Sequence, residues 1–273
     1  MSRHRVDRQA SSQAESPAVA NGAKAASFFA QIYQSFQQAE RAVGGPVARV
    51  YAIGGFTVEL RFAGSALVPH LTPAFDHLRA SPGSTPALTV CLWDSTSTAT
   101  QMPPPPWTAE AYRPRGEVRG FNDERFRTVF YLGTGILNSL DTERSIGLFW
   151  LRDAQQTPCS EGAAPLRTIL HWWMREHERL LVHAGAVGTQ DGGVLIAGRG
   201  GSGKSTTALA CLTSELLYLG DDNVLLSAEP ILSAHSLYNS AKLDLRHVER
   251  LRHLVPVTGS YHRTDEGKAV FFM

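Results

Sequence analysis

Gly198-Arg199-Gly200-Gly201-Ser202-Gly203-Lys204-Ser205 is the stretch on which the reading of this chain turns. It fits the pattern Gly, four residues, Gly, Lys, then Ser or Thr. Glycines there let successive amides turn inward without a Cβ clash, so several N–H groups and a helix N-terminus converge on a phosphate. Lys204 adds a mobile charge and Ser205 offers a hydroxyl to Mg²⁺. The flanks suit such a loop: Val194-Leu195-Ile196-Ala197 reads as a short buried strand, and Ser205 to Leu212 as the opening of a helix. The fold class expected is α/β, with a mixed sheet around the loop and helices packed against it. Gly198, Arg199, Gly200, Gly201, Ser202, Gly203, Lys204, Ser205 and Thr206 are the expected nucleotide-binding set, and ATP with Mg²⁺ the expected ligands.

Two features beside the loop add chemistry. Downstream, Leu216 to Gly220 is an apolar run that ends in Asp221-Asp222 before Val224-Leu225-Leu226 resumes. One carboxylate can hold Mg²⁺, which places Asp221 with Ser205 as metal ligands; the other, Asp222, can accept a proton from an attacking hydroxyl. By turn chemistry alone Asp-Asp-Asn also fits the bend of a hairpin. Upstream, Gln190-Asp191-Gly192-Gly193 lies between two apolar runs and predicts a hairpin folded about Asp191 and Gly192. That register sets His183 opposite Gly200, where an imidazole could contact the transferred group or tune the carboxylates. His183, Lys204 and Asp222 are thus the catalytic candidates.

The rest of the chain is read more coarsely. Residues 1–26 are Ser-, Ala-, Gln- and Arg-rich with few large apolar side chains and are expected to be a disordered tail. Phe28, Phe29, Ile32, Tyr33 and Phe36 recur at helical spacing until Gly44-Gly45-Pro46. Phe56 to Phe62 alternates as a strand, Leu88 to Trp93 reads similarly, and residues 65–79 predict a short helix between them. Pro103 to Pro106, ending on Trp107, is expected to be a stiff surface connection. Further strands are expected around Val129–Leu132 and Ile146–Leu151. Residues 27–155 are read as a mixed α/β domain that positions the acceptor, and residues 164–273 as the phosphate-loop domain. Pro165 to Leu180 predicts an amphipathic helix, and Asp244 to Leu254 another. Ala269 to Met273 ends on an apolar strand-like run, from which a C-terminally incomplete domain is expected.

Composition sets bounds on partners. The 273 residues carry a formal charge of +1, so no overall field draws nucleic acid or an anionic membrane. No segment reaches the roughly 18 apolar residues of a membrane helix, and the N-terminus does not read as a secretory signal. Cys91, Cys159 and Cys211 are widely separated and form neither a disulfide framework nor a zinc pair. A soluble chain in the reducing cytoplasm is expected.

On these residues the stretch 181–226 resembles the catalytic domain of HPr kinase/phosphorylase, a bacterial serine kinase whose phosphate-loop domain is related to that of phosphoenolpyruvate carboxykinase. His183 stands 21 residues before Lys204 and Asp222 stands 18 after it, in keeping with that family. The resemblance implies His183 as active-site histidine, Lys204 on the nucleotide, Ser205 on Mg²⁺, and Asp222 as the base that takes the serine proton. Thr206 stands where the family has Glu, and Ser236 to Leu243 holds no counterpart of its later metal-binding glutamate. Ser236-Leu237-Tyr238-Asn239-Ser240-Ala241-Lys242-Leu243, Tyr112-Arg113, Gly116 to Phe121 and Trp172-Trp173 are similar to HPr kinase-like proteins of peptide-modification pathways, including kinases of lasso peptide precursors; Lys242 could there contact phosphate or substrate. The implied activity is ATP-dependent phosphorylation of a serine on a peptide or small protein. A small-molecule kinase and a non-catalytic ATP-binding regulator are the alternatives, and a homo-oligomer is compatible with each.

Overall fold

The computed structural model describes residues 17–81, 83, 85–248, 262–263 and 267–273. Helix α1 (Pro17–Ala42) begins ten residues before the expected start, so residues 17–26 are helix and not tail. Alanine favours helix and proline fits a first turn, and Ala25 is buried beside Phe28, Phe29, Ile32 and Phe36. Small side chains were enough there because the helix lies on a packed surface. Residues 1–16 of the expected tail lie outside the described residues.

After Gly44 and Gly45, both at positive φ, β1 (Pro46–Ile53) pairs antiparallel with β2 (Phe56–Ala63) around Gly54-Gly55. The helix expected over 65–79 is split into α2 (Val68–Leu71) and a 3-10 turn, Pro73–Leu78, where Pro73 interrupts it. Next come β3 (Leu88–Asp94), which runs parallel to β2, and α3 (Ser95–Thr98), capped by Asp94. The Pro103–Pro106 connection carries no regular structure, but Trp107 anchors it, edge-on to Phe28 at 4.8 Å and Phe121 at 4.9 Å.

β4 (Phe126–Tyr131), β5 (Ile136–Asp141) and β6 (Ile146–Leu151) complete a six-stranded mixed sheet in the order β1-β2-β3-β6-β5-β4. In β3, Val90 and Leu92 face one apolar cluster while Cys91 and Trp93 face the other, the two-residue alternation of a sheet covered on both sides. α1 and Trp107 cover one face. The other is covered by α5, introduced by α4 (Cys159–Ala163) and spanning Arg167–Glu176, with Ile169, Leu170, Trp173 and Met174 inward. His177 stacks on Trp173 at 3.8 Å, a packing role.

Beyond α5 the described strands form three small antiparallel sheets, so the mixed sheet lies in the N-terminal half and not around the phosphate loop as expected. β7 (Arg179–Val182), β8 (Gly185–Gly188), β9 (Gly193–Ile196), β10 (Leu217–Gly220), β11 (Val224–Ser227) and β12 (Ser233–His235) build β10-β8-β9 and β12-β11-β7. β13 (Ser240–Asp244), α7 (Leu245–Val248), β14 (His262–Arg263) and β15 (Lys268–Phe272) follow, the last confirming the expected strand at the apolar end. The helix expected to Leu254 is described only to Val248; its remainder lies outside the described residues.

The apolar cluster under α5 extends past residues 155–164 and takes in Leu225, Leu237 and Tyr238. Tyr238 donates its hydroxyl to the Pro165 carbonyl at 2.9 Å, and Ser240 donates to that of Ala163. Strand β13 is thereby fastened to the segment between α4 and α5. Among the described residues, no helix is long and apolar enough to cross a membrane.

Candidate phosphate-loop site

The loop 197–203 joins β9 to α6 (Lys204–Ala210), as the motif predicts. β9 is not the buried strand expected, however: Val194 is 64% exposed and Leu195 42%, because among the described strands β9 pairs only with β8 and forms an edge of its sheet. Gly201 and Gly203 adopt positive φ, a conformation that a side chain would strain. Gly198 leaves its space to Ser202, whose Oγ would stand 2.6 Å from an added Cβ. Lys204 is buried, and its Nζ donates to the carbonyls of Gly198 at 3.1 Å and Arg199 at 3.3 Å, so the cation is held over the loop by the loop's own oxygens.

The hairpin of β8 and β9 is present, but Gly185 pairs with Ile196 and Gly188 with Gly193, a register displaced by two residues from the one that folding about Asp191-Gly192 would give. Thr189 accounts for the difference: its N–H closes the turn onto the Gly192 carbonyl at 2.8 Å. His183 precedes β8 and does not face Gly200; its Nδ1 lies 3.0 Å from the Asp222 carbonyl and 3.7 Å from Asp222 Oδ1.

Asp221 and Asp222 do not bend a hairpin. β10 pairs with β8, whereas β11 pairs with β7 and β12, so the two aspartates sit where the chain passes from one sheet to another. Asp222 holds the left-handed conformation at φ 63°, and the Asn223 N–H bonds to the Asp221 carbonyl at 2.7 Å. Asp221 is 2% exposed; its Oδ2 accepts from the Lys242 N–H at 3.3 Å, while Oδ1 is buried with no donor in hydrogen-bond geometry. Burial, and next the charge of Asp222, push the Asp221 carboxyl above its usual range; the Ser205 hydroxyl and the Lys242 and Asp222 amides pull the other way.

The fold therefore brings Ser205 to Asp221 and His183 to Asp222, with Lys204 over the loop. Thr206 is half-buried, and its side chain has no hydrogen bond among the described residues. A lone oxygen of a buried carboxylate next to a serine hydroxyl is a donor set suited to a hard cation such as Mg²⁺, which takes one or two protein oxygens and completes its shell from phosphates and water.

No protein-family model and no curated protein matches this chain.

The site's physics thus rests on its own residues; Gly185 and Tyr218, which the sequence did not single out, contribute, and so does Lys242, which the resemblance set near phosphate or substrate. Gly185 lets β8 approach α6, since an added Cβ would stand 3.3 Å from that of Ala208 and 3.8 Å from Asp221 Oδ1. Lys242 matters through its backbone amide as much as its charge. Tyr218, whose hydroxyl donates to the Ser240 carbonyl at 3.2 Å, has its pKa raised by burial and then by the two aspartates. The glycine before Ala186 and the position of Lys242 on a strand carried no readable signal, because both depend on which sheets become neighbours.

Proposed function

We propose that this chain is an ATP-dependent kinase that transfers a phosphoryl group to a serine hydroxyl of a peptide or small protein, through an HPr-kinase-type phosphate-loop domain within residues 164–273. The observation that carries this reading is the buried Asp221 carboxyl, with the Ser205 hydroxyl against it, at the start of a carboxylate pair that follows a Lys-Ser loop.

In this reading the amides of the loop and Lys204 hold the nucleotide phosphates, and Lys204 exchanges two carbonyl contacts for an ion pair with a phosphate. Ser205 and Asp221 would hold Mg²⁺, which when bound neutralises charge on the phosphate oxygens. Asp222 accepts the proton of the serine hydroxyl as its oxygen bonds to the γ-phosphorus and the bridging oxygen leaves with ADP. His183 fixes the backbone on which that carboxylate stands. The three separated cysteines fit a reducing cytoplasm as the place of action.

Equilibrium titration with ATP, in Mg²⁺ and in EDTA, tests the nucleotide half of the reading. Wild-type chain should bind Mg-ATP, and Lys204→Ala should weaken binding by about 10- to 100-fold. Equal affinity of both proteins would remove Lys204 from the phosphates.

A further inference from the structure

A groove of about 700 Å³ runs between the 112–116 segment, the β4–β5 turn, α4 and the start of α5. Its charged lining is one-sided: Arg113, Arg115, Arg167 and Lys242 face a single carboxylate, Glu161. Arg113 and Arg115 are exposed, and their side chains make no hydrogen bond or ion pair among the described residues. A smaller cavity of about 310 Å³ shares Arg113 and adds Arg119 opposite Glu117; Arg127, which also lines it, is already paired with Glu176 at 3.8 Å. Unpaired guanidinium groups in a concavity attract carboxylates, which they can grip with two parallel N–H donors.

The groove is joined to the phosphate-loop site through one residue. The side chain of Lys242 lines the groove while its N–H bonds to Asp221 Oδ2. The bonds from Tyr238 and Ser240 to the α4–α5 segment hold that strand in place against the groove. An occupant that reaches the Lys242 side chain would therefore touch the residue whose N–H holds Asp221.

We propose that the groove receives an acidic segment of the acceptor, so that the substrate of the transfer is a serine peptide rich in carboxylates. The assignment to the acceptor rests on the kinase reading; the preference for an acidic peptide rests on the groove alone. Carboxylates suit it better than a nucleic-acid backbone, because Glu161 interrupts the cationic wall and the chain's charge of +1 supplies no field for a long polyanion.

The test uses the full chain and three fluorescent peptides, N-acetylated and C-terminally amidated, with one serine flanked by Glu, by Gln or by Lys. Anisotropy without nucleotide measures binding, and mass spectrometry after Mg-ATP measures transfer. The Glu peptide should bind about tenfold more tightly than the Gln peptide, lose about three- to tenfold with Arg113→Ala/Arg115→Ala, recover with Arg113→Lys/Arg115→Lys, and weaken with added salt. Glu161→Gln, an independent variant, should tighten it. Equal binding of Glu and Gln peptides, an unchanged double-alanine variant of native melting temperature, or preferential binding of an RNA oligomer would overturn the proposal. Acid-selective binding that needs the arginines supports the groove even where no phosphorylated product forms, an outcome that counts against the kinase reading alone. Equal phosphorylation of all three peptides sinks the groove and leaves the kinase standing.

Discussion

The Nδ1–H of His183 donates to the backbone carbonyl of Asp222 across 3.0 Å, and Asp222 itself stands in the left-handed conformation at φ 63°. The imidazole is 61% exposed, so it serves less as packing than as a clasp on the residue whose carboxylate is assigned the proton. Asn adopts that φ more readily than other side chains. Asp222→Asn should thus keep stability within about 1 kcal/mol of wild type while lowering transfer by about 10²- to 10⁴-fold. Thermal melts and initial rates check both; an Asn variant as active as wild type would take the base role away from Asp222.

Asp221 carries a pH signature. Its folded-state carboxyl lies above the ordinary value of 3.8, so the folded chain binds a proton that the unfolded chain has released, and stability falls as pH rises through that window. Asp221→Asn removes the titration. In EDTA its melting temperature should exceed that of wild type by a margin that grows from pH 4 to pH 7. A margin that shrinks over that range would contradict the buried, donor-poor carboxylate.

Glu161 should tune the groove near neutrality. Burial pushes its carboxyl up to about 7, against the Leu166 N–H and the charges of Arg167 and Lys242; Tyr238 also faces it and stays protonated there. Below that pH the wall loses its negative charge while peptide carboxylates remain ionised. Binding of the Glu peptide should tighten from pH 8 to pH 6 in wild type and stay flat in Glu161→Gln, as read by anisotropy.

Gly54 tests whether the two halves share a core. It sits at φ 57°, and an added Cβ would stand 2.5 Å from Leu225 Cδ2 on β11. Gly54→Ala combines backbone strain with overpacking and should cost about 3 kcal/mol. Leu225→Ala in the same background should recover part of that loss in denaturant titrations. Additive losses would mean that β11 does not press on the β1–β2 turn.

Local signals made part of this legible in the sequence. Phe56 to Phe62 alternates, and β2 follows; the glycines of 198–203 and the lysine after them predict a loop and a helix, and both are present. β5 escaped because Asn138, Ser139 and Asp141 are buried polar residues; Arg125 pairs with Asp141 and Thr128 with Ser139, contacts that no local pattern announces. The exposure of Val194, the two-residue shift of the hairpin and the placing of Lys242 beside Asp221 follow from sheet neighbours, not from periodicity.

Phosphoryl transfer to serine leaves a mass signature on the acceptor, which mass spectrometry reads. A host peptide fraction below about 10 kDa, well under the size of an ordinary domain, would be incubated with Mg-ATP and either the wild-type chain or Asp222→Asn. Wild type should yield a peptide heavier by one phosphoryl group, located on serine, and the variant should not. No phosphorylated peptide with wild type, while Mg-ATP still raises its melting temperature, would contradict transfer and leave a nucleotide-binding protein.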